Sequence, residues 1–296
     1  MKTRRIGPYS VGAVSVGAMR LSIEGRPGRE QAVQTIHAAL DAGANMIDTA
    51  YGYRIPGEPE AHNHRLIRQA LETWEGGDST AVVVATKGGH LRAAEDRPGR
   101  WSQNGHPDHL KLVAEWSLGD LGVEALDLYY YHRPDLNVPY ADSAGALKDL
   151  YDAGLIKAAG VSNVNPDQLR IAHEVLGDAL VVVQNHFSPA HRASDAVLEL
   201  SGELGLAFIP YHSAGGLAAP DGPARFGAFH RIAAERQITV QRLALAWQLA
   251  LGDHVVTIPG TSRPASILDS LKAADDALSP AELAALNADV WPAESA

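Results

Sequence analysis

The sequence predicts an α/β protein, a (β/α)8 barrel with a short N-terminal β-hairpin, from three observations. Short apolar runs such as Val82–Val84 and Leu180–Val183 alternate with segments of helical periodicity. Runs of that kind belong to parallel strands buried on both faces. Eight such alternations fit into 296 residues, the count and size of this barrel. An open doubly wound sheet is the alternative. If it bound a dinucleotide it would usually carry a G-x-G-x-x-G turn after its first strand, and no such turn is present.

The elements follow in order. Gly7 and Pro8 signal a hairpin turn within Ile6–Ala18, which leads into a first strand at Val14–Ala18. Arg29–Ala42 carries apolar residues at helical spacing and stops at Gly43, the glycine position expected past a helix end. Met46–Ala50 is the second strand, His62–Thr73 a helix, and Ala81–Thr86 the third strand. A long polar loop is expected over Arg92–His106, then a helix at Pro107–Leu121 and a fourth strand at Leu126–Tyr131. The pattern continues with helix Ala141–Asp152, strand Ile156–Val161, helix Pro166–Leu176 and strand Ala179–Gln184. Helix Ser194–Leu204 and strand Leu206–Tyr211 precede two helices, Phe229–Arg236 and Val240–Leu251. Strand Val255–Pro259 and helix Ala265–Ala277 complete the eighth unit, and Pro280–Leu286 closes the chain. Ala218–Phe226 is the loosest stretch and reads as a loop. With no linker or low-complexity tract, residues 1–296 are expected to form one barrel domain.

Composition narrows the function. There is no cysteine, so thiol nucleophiles, disulfides and cysteine-ligated zinc are excluded, and a reducing cytoplasm is expected. A net charge of -10 argues against nucleic acid or an anionic membrane as partner. No apolar run is long enough to span a bilayer, and MKTRRIGPYS lacks the apolar core of a signal peptide.

In such a barrel the site lies at the C-terminal ends of the strands. Asp48 ends the second strand, followed closely by Tyr51 and Tyr53. Lys87 ends the third and His132 the fourth. Most strand-end aspartates only cap a helix or a turn. A lysine at a buried strand end is rarer, because it must be paired. Ser162 and Asn163, then Gln184, then Tyr211, then Gly260, Thr261, Ser262 and Arg263 stand at the later strand ends.

Over nearly its whole length the chain resembles an aldo-keto reductase. The motifs are IDTA-x-x-Y at Asp48, ATK at Lys87, DLYYYH at His132, GVSN at Gly160–Asn163, VQN at Gln184 and IPGTSR at Ile258–Arg263. The segments after VQNHF and around FIPYHSAGG look closest to a bacterial group that includes pyridoxal reductases. The resemblance implies reduction of an aldehyde or ketone with NADPH. It makes Tyr53 the general acid, with Lys87 lowering the phenol's pKa, Asp48 pairing with Lys87, and His132 orienting the carbonyl. It also implies that Ser162, Asn163 and Gln184 hold the nicotinamide carboxamide and that Tyr211 stacks on its ring. Gly260, Thr261, Ser262 and Arg263 would wrap the adenosine phosphate end, with Asp269 near the adenine. Arg263 could pair with a 2′-phosphate.

Other readings stand beside this one. Tyr51 rivals Tyr53 as the acid, because Gly52 follows Tyr51 where the family has a glycine after the acid, and Tyr53 is followed by Arg54. A metal-dependent hydrolase would use Asp48, His132 and His186, although Lys87 would repel its metal; no metal ligand is expected otherwise. A nucleotide-binding regulatory subunit with little turnover is a third class. His186 and His212 read as rim residues, and Trp116 and Trp247 as core. Trp101 closes the pocket or packs its loop, and Arg133 binds an anionic substrate or pairs with Asp135. Substrate choice rests with the loops at Arg20–Gly28, Arg54–Ala61, His90–Gly105 and Ala214–Phe226.

Overall fold

The computed structural model describes residues 1–92 and 101–291. The chain opens with an antiparallel hairpin of β1 (Thr3–Ile6) and β2 (Tyr9–Gly12). Its turn needs Gly7: the φ of +52° is one that a side chain disfavours, and a Cβ there would run into Val181. Ile6 and Val11 of this hairpin pack with Met46, Val83, Leu128, Val181 and Val256. These residues lie toward the N-terminal ends of the strands, so the hairpin plugs the floor of the barrel.

The barrel proper begins at β3 (Val16–Gly17) and continues through α1 (Arg29–Asp41), β4 (Met46–Asp48), α2 (His62–Glu72) and β5 (Val83–Gly88). A small hairpin, β6 (His90–Arg92) with β7 (Trp101–Gln103), follows before α3 (Pro107–Leu121). Then come β8 (Leu128–Tyr131), α4 (Tyr140–Asp152), β9 (Ala159–Ser162), α5 (Pro166–Leu176), β10 (Leu180–His186), α6 (Asp195–Glu203) and β11 (Ala207–Tyr211). The chain ends with α7 (Gly222–Arg225), α8 (Gly227–Glu235), α9 (Val240–Leu249), α10 (Pro264–Leu271) and α11 (Pro280–Ala288).

Seven strands form one parallel sheet in the order β11-β10-β9-β8-β5-β4-β3. Residues 255–260 close it as the eighth strand. On one edge the Phe208 amide donates to His254 and the Val256 amide donates back to Phe208, at 2.9 and 3.0 Å. On the other edge Thr257 exchanges bonds with Ala13 and Ser15, and Gly17 donates to Pro259 at 3.1 Å. The fold is therefore the expected (β/α)8 barrel with an N-terminal hairpin. Apolar side chains bury in two layers, one inside the barrel and one between sheet and helices.

The local chemistry of the helices explains their limits. Pro107, Pro166, Pro264 and Pro280 each stand in the first turn, where a missing N–H costs nothing. Asn165 with Gln168, and Ser279 with Glu282, form reciprocal capping boxes. Two regions differ from expectation. The polar loop at Arg92–His106 contains β7, paired back to β6, and its residues 93–100 lie outside the described part. The loop at Ala218–Phe226 contains the short helix α7. No helix among the described residues is long and apolar enough to cross a membrane.

Candidate active site

Strand register gathers the polar strand ends at one mouth of the barrel. Asp48 lies one residue beyond the Ile47↔Val84 pair, Lys87 opposite Tyr130, and Gln184 opposite Ser162. Lys87 has no exposed side-chain surface. Its ammonium donates to Asp48 Oδ1 and, at 2.8 Å, to the carbonyl of Thr49. Asp48 Oδ2 accepts from Gln184 Nε2 at 2.8 Å, so both carboxylate oxygens are engaged. The Lys87 nitrogen lies 5.5 Å from the centre of the Tyr53 ring, and the edge-on rings of Tyr53 and His132 are 5.9 Å apart.

These neighbours set the protonation states. Burial first, and the Asp48 charge second, push the Tyr53 phenol well above 10. Burial also depresses Lys87, with Asp48 opposing that shift. His132 is held neutral, well below its ordinary value, by burial and then by the charges of Lys87, His90 and Arg133. Its Nδ1 is buried without a hydrogen-bond partner.

The two tyrosines part company. Tyr53 lines the main cavity. Tyr51 is turned toward α2 and α3, where its ring lies 5.8 Å from His64 and stacks on Trp116 at 5.7 Å. Trp116 was expected in the core and is instead 45% exposed, covering Tyr51 from outside, whereas Trp247 is fully buried.

The cavity has a volume of about 1080 Å3 and runs from Asp48, Tyr53 and His132 to the first turn of α10. Ser162, Asn163, Gln184, Tyr211, Gly260, Thr261, Arg263 and Asp269 all line it. Ser262 does not; its carbonyl accepts from Gln31 at 2.7 Å on the α1 side. Asn163 sits at φ +60° and donates to the His132 carbonyl at 2.9 Å, while its own oxygen accepts from the Tyr211 hydroxyl at 2.5 Å. Tyr211 stacks one face on His186, at 5.3 Å. Asp269 accepts from Thr239 at 2.5 Å and lies 3.6 Å from Arg242.

Trp101, which the sequence offered as closing the pocket, completes the wall together with His90 and Arg92, which it left as part of a loop. The Trp101 and His90 rings are tilted against each other with centres 4.6 Å apart, and the Arg92 guanidinium lies over the same indole at 4.5 Å. Arg92 is itself paired with Glu24. The nearest sequence signal for them is the Gly88-Gly89 break, after which the chain turns back along the barrel mouth.

The far end of the cavity suits an elongated anionic cofactor. A Cβ placed on Gly260 would meet nothing closer than 3.4 Å, so the main chain is open to the cavity there. Arg263, the N-cap of α10, makes no side-chain capping bond, and its exposed guanidinium has no ion-pair partner among the described residues. A helix N-terminus with a free arginine favours phosphate. The same does not hold for a metal: Asp48, His132 and His186 do not converge, and among the described residues no set of three ligating side chains does.

Comparison with known proteins agrees with this geometry. The sequence pattern of the Aldo/keto reductase family matches residues 13–289. A pyridoxine 4-dehydrogenase of Escherichia coli is 30% identical over 286 residues, covering 92% of each chain. An aldo-keto reductase of Schizosaccharomyces pombe, named for NADP(+), is 30% identical over 296 residues, covering 88% of this chain and 83% of its own. Among solved structures, the glycerol dehydrogenase of Gluconobacter oxydans superposes with a TM-score of 0.82 at 26% identity, over 97% of this chain and 94% of that one.

Proposed function

From the premise that the chain belongs to the aldo/keto reductase family, and so is an oxidoreductase acting on carbonyl compounds, we propose that it reduces an aldehyde or ketone to the alcohol with NADPH, using Tyr53 as general acid. The observation that carries this is a single cavity with Tyr53, His132 and the Lys87–Asp48 pair at one end and an unpaired arginine at a helix N-terminus at the other. NADPH, when bound, supplies the hydride that no side chain can provide.

The chain's own residues do the rest. The neutral Tyr53 phenol donates its proton to the carbonyl oxygen as negative charge develops there. The phenolate left behind is stabilised by the buried Lys87 cation, which Asp48 keeps charged and in place. Neutral His132 has one ring N–H to donate to the same oxygen and so fixes the carbonyl's direction. Ser162, Asn163 and Gln184 would hold the nicotinamide amide, with the free face of Tyr211 against the ring. Gly260, Thr261 and Arg263 would take the phosphate end, and Asp269 the adenine side. The name of the NADP(+)-dependent relative supports the phosphate-bearing nucleotide. The pyridoxine 4-dehydrogenase relative makes pyridoxal the first aldehyde to try. On this reading the whole chain works as one barrel, and its lack of cysteine suits the cytoplasm.

The test is loss of NADPH absorbance with pyridoxal and a panel of other aldehydes. Tyr53→Phe is expected to lower kcat by roughly 100- to 10,000-fold, the usual contribution of a positioned proton donor. Tyr51→Phe, on the far side of the wall, is expected to stay within about threefold of the parent, as an alteration away from the chemistry should. Arg263→Ala should weaken NADPH more than NADH. Equal loss in both tyrosine variants, or none in either, would sink the assignment of Tyr53. NADPH bound without any aldehyde turned over would favour a regulatory subunit.

A further inference from the structure

We propose that Arg133 makes the substrate end of the cavity an anion subsite, so that the preferred carbonyl compound carries a carboxylate or phosphate group. The inference rests on the reductase reading above and extends it to the substrate's charge.

Arg133 follows His132 directly and lines the main cavity beside Tyr211, Asn163 and His90. Asp135, two residues on, was the natural partner for its charge. The structure removes that option. Asp135 Oδ1 accepts from the Asn137 amide at 2.9 Å and Oδ2 accepts from the Gly105 amide at 3.1 Å. The other carboxylate at this end, Asp48, is committed to Lys87 and Gln184. Arg133 donates to the neutral Asn163 oxygen at 3.2 Å, and its Nε is buried with no partner. Among the described residues it therefore has no counter-charge. A buried guanidinium edge without an acceptor is a cost unless something supplies one.

The surroundings do not neutralise it. Burial first, and nearby charges including Arg133 after it, lower His90, His132 and His186, so the Arg133 charge faces these three rings. Those histidines are neutral near pH 7, with His90 and His186 both near pKa 4. A chain of net charge -10 thus presents a locally cationic pocket at its reacting end. A planar guanidinium with free N–H groups matches a carboxylate or a phosphate better than any neutral group.

The experiment uses two matched pairs with the full chain and NADPH: 4-carboxybenzaldehyde against 4-carbamoylbenzaldehyde, and pyridoxal 5′-phosphate against pyridoxal. The quantity read is the ratio of kcat/KM, anionic over neutral. In the parent protein at least one pair should favour the anion by about tenfold or more, as a charge-assisted bond contributes. The pair that does so tells carboxylate from phosphate. Arg133→Met should collapse that ratio, and Arg133→Lys should restore part of it. A ratio untouched by Arg133→Met, or a preference for the neutral member in both pairs, overturns the proposal. A second readout needs no catalysis: quenching of tryptophan fluorescence by 4-(hydroxymethyl)benzoate on the cofactor-free protein, parent against Arg133→Met. Binding that requires Arg133 with no aldehyde turned over would leave the anion subsite standing and refute the reductase reading instead. Binding insensitive to Arg133 would count against the subsite alone.

Discussion

Lys87 can be buried because its ammonium has two acceptors, Asp48 on one side and the Thr49 carbonyl on the other. Taking one partner away should be costly. Asp48→Asn leaves a buried cation unpaired, and its loss of stability is expected at about 3–5 kcal/mol in urea unfolding. Adding Lys87→Met to that variant should recover much of the loss while activity stays absent. If Asp48→Asn unfolds at the parent's midpoint, the pair is not what holds Lys87 there. Asp48, Lys87 and His132 were legible in the sequence because each ends an apolar run, and strand ends converge in a barrel. Residue type alone did not say which way a loop side chain turns. Nor did it say that Trp116 on α3 is left half exposed, or that Asp135 bonds to the amides of Gly105 and Asn137 instead of to Arg133.

At the scale of elements, periodicity and turn chemistry located the first seven sheet strands and most helices to within a few residues at their ends, but missed α7 and ran α10 on to Ala277 where it stops at Leu271. Their signals are local: proline in a first turn, glycine past a last one. The β6–β7 hairpin left no such trace, since its two strands have only three residues each and are polar at most positions. The eighth strand is also a pairing of few residues, and the barrel's seam depends on one small side chain. A Cβ on Gly17 would lie 2.5 Å from the Ile258 carbonyl oxygen and 3.3 Å from the Gly260 nitrogen. Both are main-chain atoms of the closing strand and cannot rotate aside. Gly17→Ala is therefore expected to cost roughly 1–3 kcal/mol, the range for forced overpacking. Because Gly17 and Gly260 both line the cavity, it should weaken NADPH binding as well. Differential scanning calorimetry and a fluorescence titration would check both. An unchanged melting temperature would mean that the seam is slack.

For the whole molecule, the barrel was readable from counting because eight buried parallel strands admit few other closures, and the family motifs gave the order of the site. The placement of charge was not readable, since it depends on which groups the fold removes from water. His64 is the clearest case. It is fully buried, its Nε2 is 2.7 Å from Thr86 Oγ1, and burial followed by the Lys87 charge lowers it to about 3. The unfolded chain binds a proton at this histidine below about pH 6.5, while the folded chain stays neutral down to about 3. Stability is thus fully present above pH 6.5 and lost as the pH falls toward 3. Between pH 7 and pH 5 this one residue should remove about 2 kcal/mol of unfolding free energy. His90 and His186, both lowered to about 4, act in the same direction. Acidification also reduces the net charge of -10, which relieves general repulsion and works the other way. Comparing the parent with His64→Gln cancels that background. The variant starts from lower stability at pH 7, but its urea midpoint should fall less steeply between pH 7 and pH 5. Parallel pH profiles would mean that His64 is protonated in the folded protein and that water reaches it.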